Sequence, residues 1–183
     1  MKKFLFIDDY HTKLIDIQCK RTFIIYRNYK NTQNISKILK LKNYCQKKGN
    51  PFILSNNIKL AINLNLNGVY IPSFNKSFSH LSYDLKKKFL IIGSAHNLNE
   101  VSNKILQKCQ YIFISSLFKK NKNYLGLNKF KLLTNNIQVP VIALGGINSL
   151  NIKKLKMINI KGFAGISYFQ KKGPPKRPFK FLR

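Results

Sequence analysis

The sequence predicts an α/β protein, a compact (β/α)8 barrel of the TIM type with a short or missing last helix and a basic C-terminal tail. Three observations predict it. Eight short apolar runs alternate with segments of helical period between residues 4 and 169. Such regular alternation implies a parallel sheet covered by helices. The 183 residues provide for one domain, with no room for a second. The rival is a doubly wound open sheet, whose dinucleotide-binding form needs a glycine-rich turn after the first strand. The first glycine here is Gly49. A barrel usually takes about 200–250 residues, so some helices must be short.

The elements follow in order. Phe4–Asp8 is a first strand. The opening MKKFLFIDDY starts like an export signal, but Asp8 and Asp9 interrupt it before the roughly 7–15 apolar residues that a signal needs. Thr22–Arg27, rich in β-branched and aromatic residues, is the second strand. A helix over Asn34–Lys48 carries Ile35, Ile38, Leu39 and Leu41 on one face. Pro51–Ser55 is the third strand and Asn57–Leu66 the helix behind it. Gly68–Ile71 is the fourth, stopped by Pro72. Phe89–Gly93 is the fifth, followed by a helix over Leu98–Lys108. Tyr111–Ile114 is the sixth and Val139–Leu144 the seventh, ended by Gly145-Gly146. Asn148 or Ser149 caps a helix running to Met157. Gly162–Ile166 is the eighth strand. The barrel therefore occupies residues 1–169 and the tail 170–183. Pro174-Pro175 bars a regular helix from the tail. The tail reads as a disordered basic extension or as an anion-binding or subunit-contact arm.

Composition narrows the function. At 44% hydrophobic and 13% aromatic the chain can build a core, which excludes a wholly disordered protein. No apolar run approaches the ~18–20 residues that span a bilayer, so no membrane partner is expected. Cys19, Cys45 and Cys109 form no CxxC pair, which fits a reduced, cytoplasmic protein. His11, His80 and His96 lie far apart, with His11 and His80 in irregular, solvent-facing segments, and supply no zinc spacing. Cys109, just before the sixth strand, reads as core. The formal net charge is +29, from 34 basic and 5 acidic residues. Such a chain attracts polyanions at low salt. Yet only four of the basic residues are Arg, the side chain that nucleic-acid recognition enriches. Lys, Asn and Ile, all abundant, share A/T-rich codons, and the lysines are scattered. A drifted, solvated surface explains them without a specific nucleic-acid partner. Small phosphorylated ligands suit the charge equally well. The acids are Asp8, Asp9, Asp16, Asp84 and Glu100, so any carboxylate metal site or acid–base pair must come from the first hundred residues.

In a barrel the chemistry lies at the C-terminal strand ends. The sharpest feature there is the pair ALGGIN (143–148) and GFAGIS (162–167). Gly145-Gly146 and Gly165 let backbone approach a ligand, and the N–H groups that follow can hold an anion. The seventh and eighth strand ends are where barrels commonly bind phosphate.

With these stretches, IIYRNY (24–29), PFILSNNIKLAINLNLNGVYI (51–71), IIGSAHN (91–97) and YIFISSLFKKNKNYLG (111–126) make the sequence similar to one family over roughly residues 4–169. It resembles the thiamine phosphate synthase and thiazole tautomerase superfamily, in a divergent bacterial branch. The resemblance implies a transferase that joins hydroxymethylpyrimidine pyrophosphate to thiazole phosphate. Pyrophosphate leaves first, and the thiazole nitrogen captures a pyrimidine cation. Its small phosphorylated substrates are the implied partners, and an oligomer is compatible with the sequence.

The residues that the resemblance implies are matched in part. Arg27, Ser94, His96 and, with a one-residue shift, Lys122 fall at catalytic positions. Gly145, Gly146, Gly165 and Ile166 fall at the thiazole-phosphate site. Asp8, Ser115 and Ser116 fall at other substrate-facing strand ends. The family's glutamine and lysine on strand 2 become Ile25 and Tyr29. Its two magnesium aspartates become Asn56, after strand 3, and Asn75, after strand 4. An amide replaces a charge poorly at Mg2+, so the metal is an expectation that these two residues count against. The tautomerase histidine becomes Ser116, so that activity is not implied. Lys119, Lys120 and Lys122 read as a metal-free pyrophosphate clamp or as an exposed loop. His96 reads as a general base or as a backbone-bonding residue. Asp8 reads as a pyrimidine ligand or as the partner of Arg27. A non-catalytic phosphate-binding relative and, less so, a basic RNA-associating protein are the alternatives.

Overall fold

Runs of β-branched and aromatic residues, each bounded by turn residues, form eight strands that close on themselves. The computed structural model describes residues 1–29 and 34–170. The strands are β1 (Lys2–Ile7), β2 (Phe23–Tyr26), β3 (Phe52–Ser55), β4 (Gly68–Ile71), β5 (Leu90–Ala95), β6 (Tyr111–Ile114), β7 (Val141–Leu144) and β8 (Gly162–Gly165). All pair in parallel and in chain order. Lys2–Leu5 of β1 meets Gly162–Gly165 of β8 to close the barrel. The expected architecture is the one observed.

The helices are α1 (Thr12–Asp16), α2 (Ile35–Lys47), α3 (Ile58–Asn63), α4 (Leu98–Leu106), α5 (Gly126–Thr134) and α6 (Ser167–Gln170). Asparagines start three of them. The side chains of Asn34, Asn57 and Asn97 accept from the N–H groups of Lys37, Leu60 and Glu100 at 2.9–3.0 Å. Economy of length shows in two places. After β4 and after β7 the connection is a 3-10 turn, Ser79–Ser82 and Ile152–Met157, in place of an α-helix. The second turn starts at Asn151, not at the expected Asn148 or Ser149. Asn148 instead folds its side chain onto the N–H groups of Leu150 and Asn151. The described part of the last helix is a single turn. Residues 171–183, most of the expected tail, lie outside the described residues.

Alternation along each strand divides the core in two. Phe4, Phe6, Phe23, Ile25, Ile53, Tyr70, Ile92, Phe113, Ile142 and Ala164 fill the barrel interior. Its rings pack edge to face, Phe4 on Phe113 at 5.0 Å and Phe6 on Tyr70 at 5.4 Å. Their neighbours, among them Leu5, Ile24, Leu54, Val69 and Ile112, face the helices. His80, expected to face solvent, is fully buried, and its Nε2 lies 2.8 Å from the Gln107 carbonyl. The 3-10 turn after β4 folds it against the end of α4. Cys45 and Cys109 are buried and Cys19 is exposed, all as free thiols.

Candidate active site at the barrel mouth

The same alternation builds the site. Two residues beyond the last interior residue of a strand, the chain points again to the axis, now at the C-terminal mouth. Asp8 follows Phe6 in this way, Arg27 follows Ile25, Ser55 follows Ile53, Ser94 follows Ile92 and Ser115 follows Phe113. A ring of polar side chains thus lies on an aromatic floor.

Arg27 is half-buried at the end of β2, with its guanidinium 4.7 Å from the Phe6 ring centre. Its N–H donates to the Ile7 carbonyl at 2.8 Å, which fixes the strand end. The buried Tyr70 hydroxyl donates to Ser94 Oγ at 2.8 Å. Burial raises the Tyr70 pKa to about 12, while Ser94 and Arg27 pull against the rise. Tyr70 therefore stays a neutral donor or acceptor. It was not among the sequence candidates. The signal was available, since strand alternation turns it inward from GVYI.

His96 follows β5, and its Nδ1 lies 2.8 Å from the Ser115 carbonyl and 3.1 Å from Ser115 Oγ. A carbonyl can only accept, so Nδ1 carries the proton and Nε2 is the basic nitrogen. Glu100 Oε2 accepts from the His96 N–H at 2.7 Å, so the acid in the first turn of α4 also holds the histidine. Of the two roles weighed for His96, the backbone-bonding one is observed.

Ser116 is buried, with Oγ donating to the Lys119 carbonyl at 2.9 Å. That bond folds the loop after β6 on itself, and the N–H groups of Leu117 and Phe118, donating to the carbonyls of Leu144 and Gly145 at 2.9 and 2.8 Å, tie it to the end of β7. A Cβ on Gly145 (φ +103) would meet the Ser116 side chain, and one on Gly146 (φ +72) would stand 2.5 Å from the Lys119 nitrogen. The double glycine is demanded first by this neighbouring loop. Among the described residues, the N–H groups of Gly146 and Ile147 donate to no protein acceptor, as an anion site requires. Gly165 differs, since a Cβ there would meet only the Ile147 oxygen at 3.8 Å. Ile166 is exposed beside it.

One of the two readings of Asp8 is corrected. Asp8 does not pair with Arg27. Its carboxylate is exposed and lies 3.0 Å from His11 Nε2, because α1 brings His11 back over the end of β1. Lys119, Lys120 and Lys122 are exposed on the loop after β6. A cavity of about 650 Å3 opens on the β1, β2 and β8 side of the mouth, lined by Phe6, Asp8, His11, Arg27 and Ile166 among others. It does not reach Ser94, His96 or Gly146.

Asn56 and Asn75 are brought together. Asn75 Nδ2 donates to Asn56 Oδ1 at 2.7 Å. Asn56 has φ +61, a left-handed conformation that asparagine tolerates. Among the described residues no group of three or more His, Cys, Asp or Glu could hold a metal ion. Mg2+ requires hard, preferably anionic oxygens in near-octahedral array. Two neutral amides bonded to each other do not fit it.

A closed parallel barrel with a polar ring at its C-terminal mouth and receptive glycine turns after β7 and β8 is built as a small-ligand (β/α)8 enzyme fold. The thiamine monophosphate synthase family model matches residues 11–169, so the chain belongs to that family. A thiamine-phosphate synthase of Prochlorococcus marinus is 28% identical over 155 residues, covering 82% of this chain and 44% of that protein. One of Fusobacterium nucleatum is 28% identical over 145 residues, covering 77% of this chain and 70% of that one. The chain thus spans less than half the length of the Prochlorococcus relative. The solved thiamine phosphate pyrophosphorylase of Pyrococcus furiosus has the same fold, with a TM-score of 0.74 at 17% identity, covering 91% of this chain and 85% of that one. No helix among the described residues is long and apolar enough to cross a membrane.

Proposed function

We propose that the chain is a cytoplasmic transferase of thiamine biosynthesis. It would join hydroxymethylpyrimidine pyrophosphate to thiazole phosphate, releasing pyrophosphate and thiamine phosphate. The observation that carries this reading is the shared mouth. Arg27, the Tyr70–Ser94 pair, the His96–Ser115 pair and the glycine turns all lie at or next to the C-terminal strand ends of one barrel, within the segment that the family model matches.

In the reaction the bond between the pyrimidine methylene carbon and the pyrophosphate oxygen breaks, and the electron pair leaves with the pyrophosphate. The thiazole nitrogen lone pair then forms the new C–N bond. Arg27 is placed to hold the departing anion, and its fixed guanidinium stabilises charge as it develops. The N–H groups of Gly146 and Ile147, with the Gly165–Ile166 turn, hold the thiazole phosphate. Ser94, kept in place by Tyr70, and Ser115, kept in place by His96, present hydroxyls to the pyrimidine. His96 Nε2 can hold a proton at the mouth.

The test is a product assay with both substrates. Thiamine phosphate should form, and Arg27→Ala should lower the rate by about a hundred-fold or more. A wild-type chain that yields no product, while thiazole phosphate still raises its Tm, would replace the synthase with a phosphate-binding relative.

A further inference from the structure

The amide pair at Asn56 and Asn75 has one hydrogen-bond polarity, and the loop fixes it. Asn75 Oδ1 accepts from the Ser77 N–H at 2.9 Å. That bond settles which end of the Asn75 amide is oxygen, so its nitrogen must be the group that donates to Asn56 Oδ1. Asn56 Oδ1 is thereby engaged by an N–H, and the remaining polar end of Asn56 is its own NH2. Both amide oxygens are thus engaged, and what the pair has left to offer is N–H donors.

The same loop already contains a cation. Lys104 of α4 is 1% exposed, and its ammonium donates at 2.8 Å to the carbonyls of Pro72 and Asn75 and to Gln107 Oε1. Gln107 Nε2 also donates to the Asn75 carbonyl, at 3.1 Å, and to that of Ser77, at 2.8 Å. The backbone oxygens that could help to ligate an ion are therefore taken by a resident positive charge. Across the mouth, Tyr29 packs edge to face on Phe74 with ring centres 5.6 Å apart, and its hydroxyl is 3.4 Å from Ser55 Oγ. Arg27 ends the neighbouring strand, next to β3 in the sheet.

We propose that the Asn56–Asn75 pair, held by Lys104 and flanked by Arg27, receives the ligand's anion directly through N–H donors, with no divalent cation at this position. The proposal rests on the reading above in taking the anion to be a pyrophosphate. It exchanges a metal bridge for amide and guanidinium donors, which bind anions without an intervening ion.

Binding of inorganic pyrophosphate, measured by calorimetry in EDTA and then in millimolar MgCl2, tests it. Wild-type protein should bind in EDTA, and Mg2+ should leave the affinity unchanged or weaken it by sequestering free pyrophosphate. Asn56→Ala should weaken binding in EDTA by about ten-fold, the scale of a lost charge-assisted hydrogen bond. Asn56→Asp/Asn75→Asp should reverse the pattern, with poor binding in EDTA and recovery with Mg2+. A wild-type affinity that rises about ten-fold with Mg2+, with the gain lost in Asn75→Ala, would overturn the proposal. So would a wild-type chain that binds no pyrophosphate in either buffer. Metal-independent binding without product formation would sink the synthase reading and leave this inference standing. Product formation by a chain that binds pyrophosphate only with Mg2+ would do the opposite.

Discussion

Gly146 and Gly165 stand at equivalent strand ends, yet they differ in what holds them. Gly146 has φ +72 and no room for a Cβ against the backbone at Phe118 and Lys119. Gly146→Ala should cost about 2 kcal/mol or more in denaturant unfolding, from left-handed strain plus the displaced loop. At Gly165 a Cβ would make only an ordinary contact with the Ile147 oxygen, so Gly165→Ala should leave stability within about 0.5 kcal/mol. If its turn holds the thiazole phosphate, the same variant should raise that substrate's KM. Ser94→Ala leaves the buried Tyr70 hydroxyl without its acceptor and should cost about 1–3 kcal/mol. At this scale the sequence was only partly legible. Strand alternation announces Ser94, Ser115 and Arg27 as mouth residues. It equally announces Tyr70, which is easily passed over because a tyrosine inside a barrel looks like core. The Asp8–His11 contact was not legible, because α1, which His11 precedes as its cap residue, is five residues long and weakly patterned.

Helix α4 connects stability to the site more directly than any other element. At its start Asn97 accepts from the Glu100 N–H, and Glu100 reaches back past the cap to accept from the His96 N–H. Its buried Lys104 anchors the loop after β4, although burial pushes the lysine pKa below its ordinary value. Lys104→Met would remove three hydrogen bonds, leaving Gln107 Oε1 without a donor and the Pro72 and Asn75 carbonyls with one each, and should cost about 2–4 kcal/mol. Hydrogen exchange should then speed up across residues 72–77 while the strands remain protected. A uniform loss of protection would show that Lys104 supports the whole barrel rather than this loop. Lys104 could not be picked out among so many lysines, because only its tertiary partners distinguish it. The strands, by contrast, were legible almost to the residue, since short β-branched and aromatic runs punctuated by Gly, Pro and Asn admit little else. Helix α5 was harder to see. Leu127, Phe130 and Leu133 keep helical spacing, but the helix starts at a glycine with no side-chain cap.

For the whole molecule, pH dependence follows from three buried acids of the alkaline range. Burial raises Cys45 and Cys109 from 9.0 to about 12, and Tyr70 from 10.0 to about 12. Each folded-state pKa lies above its unfolded value, so the folded chain holds more protons between the two. Stability is then fully present below about pH 9 and falls as pH rises toward 12. Lys104 opposes this trend, because its lowered pKa makes the folded chain release a proton earlier. Thermal unfolding should show Tm falling above pH 9, with a shallower fall in Cys45→Ala/Cys109→Ala. The net charge of +29 adds a second dependence. Moderate salt screens self-repulsion, so Tm should rise as NaCl is increased at neutral pH. An unchanged Tm would mean that the scattered lysines are too well solvated to repel one another appreciably.

The cradle after β7 has a property that the rest of the mouth lacks. Its donors at Gly146 and Ile147 belong to the main chain. A guanidinium, an imidazole or a carboxylate can be lost by one codon change. A peptide N–H is encoded by almost every residue, and here only the loss of the glycine turn would remove it. In a chain so rich in Lys and Asn, these main-chain donors are therefore the portion of the candidate site most durable under mutation. Specificity for the rest of the ligand is where divergence is free to act.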